Sequence, residues 1–246
     1  MNAFITGGSR GIGRAIVLKY IQEGWGVAFT YAGNKAMAEE TLSLARAQKP
    51  GCEIRAYAME LKNADDVEKV CDQAIRDFKT VTTVVNSAAT LRNGAAVMMS
   101  TEDWNEVIAV DLSGPFYVDR SFLMHMIANR KGRLIHLSSL AAGGSSGQVN
   151  YAAAKAGLDG LSQTLAKEYG AKGITSNVIT VGYVPTDMTK DHMSSQLQAF
   201  WLEHCPAHRV GTPEEIAGLA YYLSTDPAAF ISGENIRVVA GLTYAP

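Results

Sequence analysis

Cysteine is scarce in this chain of 246 residues: Cys52, Cys71 and Cys205 are an odd number, lie far apart and lack the short paired spacings of a zinc site. Neither a disulfide framework nor a metal is expected, and reduced, buried thiols are the simplest reading. Uninterrupted apolar runs are also missing; none approaches the ~18 residues of a membrane helix. Met1 leads almost at once into the short run Ala3-Phe4-Ile5, not into a basic segment followed by a long apolar one. No secretory leader is expected, and a cytoplasmic protein is. An excess of charge is lacking too, with 22 Lys and Arg against 24 Asp and Glu, a net charge of −2 and a pI near 6.2. Global attraction to nucleic acid or membrane is thereby disfavoured, although a local basic patch for an acidic partner is not. Repeats, low-complexity tracts and linkers are absent as well. With 47% hydrophobic residues, the chain is expected to form one domain over residues 1–246.

What is present begins with an apolar segment at 3–6, which runs into Thr6-Gly7-Gly8-Ser9-Arg10-Gly11-Ile12-Gly13 and then an amphipathic helical pattern through Ala15, Ile16, Leu18 and Ile21. Glycines remove Cβ where a chain turns tightly, and the unpaired N–H groups of a following helix face an anion. A strand, a glycine turn, a helix and a second strand at 26–31 together suit a pyrophosphate. One further absence then matters. An acidic side chain after the second strand would bind a ribose diol and repel a phosphate, but the chain reads Thr30-Tyr31-Ala32-Gly33-Asn34-Lys35. With Arg10 in the glycine turn, uncharged donors and two cations point to NADPH. The competing reading of Lys35 is a solvated helix start.

Helices alternating with apolar strands follow: helix to about 48, strand 53–59, helix 64–78, strand 81–86, helical region 101–129, strand 133–138, helix around Tyr151, strand 174–181, helix from Pro213 and strand 235–239. This pattern predicts an α/β doubly wound parallel sheet, a Rossmann fold, covered on both faces. The polar, Met-containing segment at 183–212 is expected to be an irregular lid. Tyr151 and Lys155 stand four apart, on one face of a helix. An ammonium beside a phenol favours the phenolate and lowers a pKa of about 10, which makes the pair a proton donor for a carbonyl oxygen.

The glycine turn together with Tyr151-Ala152-Ala153-Ala154-Lys155 resembles the classical short-chain dehydrogenase/reductase family over essentially the whole chain. Gly147-Gln148-Val149-Asn150-Tyr151 and Thr186-Asp187-Met188 are most similar to its 3-oxoacyl-[acyl-carrier-protein] reductases. The resemblance implies that Tyr151 donates the proton, that Lys155 lowers its pKa and holds the nicotinamide ribose, and that a serine orients the substrate carbonyl. Strand wording selects Ser139, whereas the usual gap of about thirteen residues to the tyrosine selects Ser138. Ser139 is preferred, because register at a strand end is harder to shift than loop length. The resemblance further implies cofactor contacts at Gly7, Ser9, Arg10, Gly11, Ile12 and Gly13, at Asn34, at Glu60 and Leu61, at Asn86 and Ala88, and at Gly182, Val184 and Thr186.

Several positions depart from the family pattern. Asn86-Ser87-Ala88-Ala89 replaces Asn-Asn-Ala-Gly, Glu60 replaces an adenine-facing aspartate, and Val181-Gly182 replaces Pro-Gly. Asp111 stands where the family often has an asparagine whose main-chain carbonyl holds a water of a proton relay. His192, His204 and His208 have no common metal spacing and read as surface residues. Met98, Met99, Met188, Met193, Phe200 and Trp201 suit an acyl tunnel or core packing equally. Arg130, Lys131 and Lys172 suit either a docking patch for acyl carrier protein, near the mouth of the site, or a plain preference for cations at helix ends.

The expected activity is NADPH-dependent reduction of a 3-oxoacyl thioester in fatty-acid or polyketide-type synthesis. The alternatives are reduction of another ketone, such as acetoacetyl-CoA or a small carbonyl compound, and a cofactor-binding scaffold subunit of a mixed oligomer. A homotetramer is expected, since Trp104, Val107, Ile108, Val110, Leu112, Phe116, Tyr117 and Phe122 exceed one buried stripe and the tail 238–246 is apolar.

Overall fold

The computed structural model describes residues 1–186 and 195–243. Strands β1 (Asn2–Ile5), β2 (Gly26–Tyr31), β3 (Ile54–Ala58), β4 (Thr83–Asn86), β5 (Gly132–Ser139), β6 (Ile174–Val181) and β7 (Asn235–Val238) form one parallel sheet in the order β3-β2-β1-β4-β5-β6-β7. Ile5 lies between Phe29 and Val85 in this register. Parallel neighbours need crossovers, supplied by α1 (Gly11–Gln22), α2 (Lys35–Gln48), α3 (Ala64–Phe78), α4 (Thr101–Ile108), α5 (Gly114–Asn129), α6 (Val149–Tyr169), α7 (Ser195–His204) and α8 (Pro213–Ser224).

Both faces of the sheet are buried, which is why its strands read as nearly continuous apolar runs. On one face Ile16, Val17 and Tyr20 of α1 and Ile216 and Ala220 of α8 cover Ile5, Phe29 and Ile135. On the other, Val67 and Cys71 of α3 and Phe122 and Met126 of α5 cover Phe4, Val84 and Leu134. Side chains alternate along a strand, so adjacent Phe4 and Ile5 anchor opposite layers. The chain order reverses between β1 and β4, and the crevice at the carboxyl ends of those strands is where such a sheet holds a ligand.

One expectation is corrected here, and another is met with a refinement. The segment 183–212 is not wholly irregular, because α7 occupies Ser195–His204, a run without Gly or Pro that holds good helix formers. Tyr183 stacks on Trp201 of α7 at 5.7 Å between ring centres. Residues 187–194, with Met188, His192 and Met193, lie outside the described residues, as do 244–246. The long helical region 101–129 is interrupted by a wider π turn at Ala109–Ser113, which carries Asp111. No described helix is long and apolar enough to cross a membrane.

Candidate active site

A cleft of about 490 Å3 opens at the carboxyl ends of β1, β2, β4, β5 and β6 and runs from Arg10 and Glu60 at one end to Ser139 and Tyr151 at the other. Thr6, at the end of β1, is buried, and its hydroxyl oxygen accepts from the Ser87 and Ala88 amides at 3.0 and 3.1 Å. That clamp brings the turn after β4 against the glycine turn. Gly7 has φ +69°, and a Cβ there would meet Ala88 at 2.8 Å. A Cβ on Gly13 would lie 2.2 Å from the Gly7 carbonyl oxygen. The backbone is therefore bare where α1 begins, and the first turn of α1 contains no acidic residue. Bare N–H groups without a competing carboxylate form a cradle for a pyrophosphate.

Of the cofactor contacts expected from sequence, Gly7, Ser9, Arg10, Gly11, Ile12, Gly13, Glu60, Leu61, Ala88, Gly182, Val184 and Thr186 line this cleft. Asn34 and Asn86 do not line its walls. Asn34 caps α2, its side-chain oxygen accepting from the Met37 amide at 3.1 Å. Asn86 turns into the protein: its Nδ2 donates to Asp119 at 2.8 Å and lies 3.3 Å from His136 Nδ1. Lys35 begins α2 outside the cleft walls, and Arg14 is committed to the Ser9 carbonyl and Glu40. Arg10 is exposed at the rim of the cleft, which Lys62 also lines. Glu60 also lines the adenine end, and its amide donates to Asp66 at 2.7 Å.

At the other end, α6 places Tyr151 and Lys155 one turn apart beside β5. The Lys155 ammonium lies 5.4 Å from the Tyr151 ring centre, donates to the Leu137 carbonyl at 3.1 Å and faces Asp111 Oδ2 at 3.3 Å. Ser139 lines this end of the cleft with Tyr151 and lowers the Tyr151 pKa, and its hydroxyl oxygen accepts from the Ala141 amide at 3.2 Å. The Ser138 hydroxyl instead donates to the Lys155 carbonyl at 3.0 Å. Asn150 directly precedes the tyrosine at the start of α6. Its Oδ1 accepts from the Tyr151 amide at 2.8 Å, and its Nδ2 donates to the Arg92 carbonyl at 3.0 Å, tying the start of α6 to the loop before α4.

The electrostatics correct one sequence expectation. Burial raises the Tyr151 pKa above its ordinary value, Lys155 pulls it down and Asp111 pushes it up, so the ammonium does not win outright. Burial disfavours the Lys155 ammonium, but Asp111 and Tyr151 outweigh it and hold the side chain protonated. Burial pushes the Asp111 carboxyl up against the pull of Lys155 and the Thr90 amide, which donates to Oδ1 at 2.8 Å.

The basic patch is also corrected. Arg130 ends α5, while Lys131 and Lys172 precede β5 and β6, so all three sit at the amino ends of the strands. Ser139 is at the other end of β5, roughly 23 Å of strand away. The patch does not border the mouth of its own chain's cleft, and Lys131 is paired with Asp226 at 2.7 Å. Of the other residues weighed, Met98 is largely exposed, and Trp201 packs near Leu140, Cys205 and Val239. His204 and His208 are exposed, and among the described residues no group of three or more ligating side chains could hold a metal.

Residues 7–243 match the family described as Enoyl-(Acyl carrier protein) reductase. The 3-oxoacyl-[acyl-carrier-protein] reductase FabG of Staphylococcus epidermidis is 35% identical over 98% of this chain and 98% of its own. The corresponding reductase of Chlamydia trachomatis is 36% identical over 98% and 96%. A short-chain dehydrogenase/reductase of Serratia marcescens superposes with a TM-score of 0.92 at 31% identity, covering 98% of this chain and 97% of the other. Sheet order, cleft and the serine, tyrosine and lysine at its end agree with these likenesses: the chain belongs to the short-chain dehydrogenase/reductase family, as an oxidoreductase.

Proposed function

We propose that this protein reduces the ketone of a 3-oxoacyl thioester carried on acyl carrier protein, using NADPH, in fatty-acid or polyketide-type synthesis. The observation that carries this reading is that Ser139 and Tyr151 share one end of the cleft with buried Lys155, whose ammonium lies 5.4 Å from the Tyr151 ring centre. Two hydroxyl donors at one end of a cleft suit a carbonyl oxygen that becomes an alkoxide. A bound nicotinamide supplies the hydride to the carbonyl carbon. Tyr151 gives its hydroxyl proton to the oxygen, Ser139 holds that oxygen, and Lys155 stabilises the phenolate left behind. The two hydroxyls favour carbonyl reduction over the alkene reduction suggested by the family description. The names of the relatives support the acyl-carrier substrate.

Arg10 at the cleft rim and the missing acid after β2 support NADPH over NADH. Trp104 and Phe116 remain substantially exposed on α4 and α5 while Val107 and Phe122 are buried, which supports a homotetramer that covers the exposed pair. A carrier protein docking at Arg130, Lys131 and Lys172 would then serve the cleft of another copy. NADPH oxidation measured with a panel of carrier-bound, CoA-bound and free ketones tests the reading. Turnover of the carrier-bound substrate above the others is expected; inactivity on every ketone would favour a scaffold subunit instead.

A further inference from the structure

Asp111 is the least expected member of the site. It is fully buried, rides on the π turn between α4 and α5, and divides its two oxygens between different tasks. Oδ1 accepts from the Thr90 amide at 2.8 Å, which fixes the carboxyl. Oδ2 has no hydrogen-bond partner and faces the Lys155 ammonium at 3.3 Å. A neutral amide at this position would answer Thr90 equally well and leave the ammonium uncompensated. The carboxylate is thus superfluous for the backbone contact but decisive for the charge on Lys155.

We propose, resting on the reductase reading above, that Asp111 is a positioning residue that neutralises Lys155 and so keeps Tyr151 a protonated donor to higher pH, biasing the site toward carbonyl reduction over alcohol oxidation. The charges around Tyr151 are few. Lys155 lies over its ring and Asp111 faces Lys155 in turn; from β5, His136 is buried and neutral, and from α4, Glu106 is paired with Arg92 at 2.9 Å. Asp119 on α5 is buried in its neutral form beside His136. Asp111 is therefore the anion that opposes the lysine. Removing it leaves the ammonium free to stabilise phenolate, and the Tyr151 hydroxyl should ionise at lower pH.

Asp111→Asn tests this, because the amide oxygen still accepts from Thr90. The readout is a pH titration of phenolate absorbance, taken as the difference between proteins with and without Tyr151→Phe, which needs no ketone substrate. The midpoint should fall by about one pH unit, the scale of a single nearby charge. Rates of ketone reduction and alcohol oxidation should show the same displacement, with oxidation gaining near neutrality. A midpoint unchanged or raised by Asp111→Asn overturns the proposal, whether or not activity survives. If Asp111→Asn does not fold, Asp111→Ser, which keeps a short acceptor, takes its place under the same criterion. Failure of every ketone assay with a lowered phenolate midpoint would sink the reductase reading and leave the role of Asp111 standing.

Discussion

Ser139 shares the cleft wall with Tyr151 and lowers its pKa, whereas its neighbour Ser138 donates at 3.0 Å to the Lys155 backbone carbonyl one turn along the same helix. Both serines line the cleft, but the Ser138 hydroxyl is committed to anchoring α6. Ser139→Ala is expected to lower kcat for ketone reduction by roughly 10²–10³-fold, the usual loss of one donor to a developing oxyanion. Ser138→Ala should lower thermal stability by the worth of a buried hydrogen bond, about 1 kcal/mol, with much smaller kinetic effect. Parallel kinetics and melting curves of the two variants check this, and a larger kinetic loss from Ser138→Ala reverses the assignment.

Tyr151→Phe removes the proton donor and keeps the ring. Reduction should fall by roughly 10²–10⁴-fold, as for loss of general acid catalysis. NADPH affinity, read by fluorescence titration, should hardly change, since the glycine turn and Arg10 lie at the far end of the cleft. Retained turnover would assign the proton to another group.

The framework was legible because parallel strands buried on both faces, glycine turns and a helical Tyr-Lys spacing are local signals. β2, α3 and β6 have the bounds read from the sequence, and the glycine turn meets α1 where anticipated. Contacts between residues distant in sequence were not legible. Nothing near Asn86 indicates that its side chain turns inward to Asp119 and His136, 33 and 50 residues on. Nor does any local pattern mark the Thr90 amide as the partner of Asp111. The basic patch was misplaced because helix-end charges give no indication of which end of the sheet they occupy. For Asn150 a usable signal existed, an asparagine at the start of a helix, directly before the tyrosine whose amide it accepts.

Arg10 should decide cofactor choice. Asn34 and Lys35 lie outside the cleft walls and Arg14 is committed to Ser9 and Glu40, which leaves Arg10 on the glycine turn and Lys62 after β3 as the exposed cations lining the cleft among the described residues. Arg10→Ala is expected to raise the KM for NADPH by roughly tenfold to a hundredfold, the equivalent of about 1.5–3 kcal/mol for a charge-assisted hydrogen bond, with little change for NADH. Steady-state kinetics with both cofactors measures the difference, and an equal effect on the two would place the 2′-phosphate elsewhere.

The buried pair of His136 and Asp119 gives the last prediction. Their closest atoms are 3.6 Å apart and both side chains are fully buried. Burial, with Lys155 nearby, lowers the His136 pKa to about 3, and burial raises that of Asp119 well above the ordinary carboxyl value, so each is pushed toward its neutral form. The unfolded chain differs: there the histidine is protonated below about 6.5 and the carboxyl ionised above about 3.9. His136 therefore contributes stability that is present above 6.5 and is lost as pH falls toward its folded value. Asp119 contributes in the opposite sense, with stability present below about 3.9 and lost as pH rises toward its raised value. Above about pH 4, and below both the ordinary histidine value and the raised Asp119 value, the two slopes, each about 1.4 kcal/mol per pH unit, oppose one another. Relative to the unmutated protein, His136→Asn should shift the pH slope of unfolding free energy so that acid becomes more favourable, because the Asp119 dependence is unmasked. Asp119→Asn should shift it the other way, with stability falling more steeply as pH drops. Urea denaturation at several pH values across this window measures both. Slopes unchanged in the two variants would show that neither group changes its proton count on unfolding.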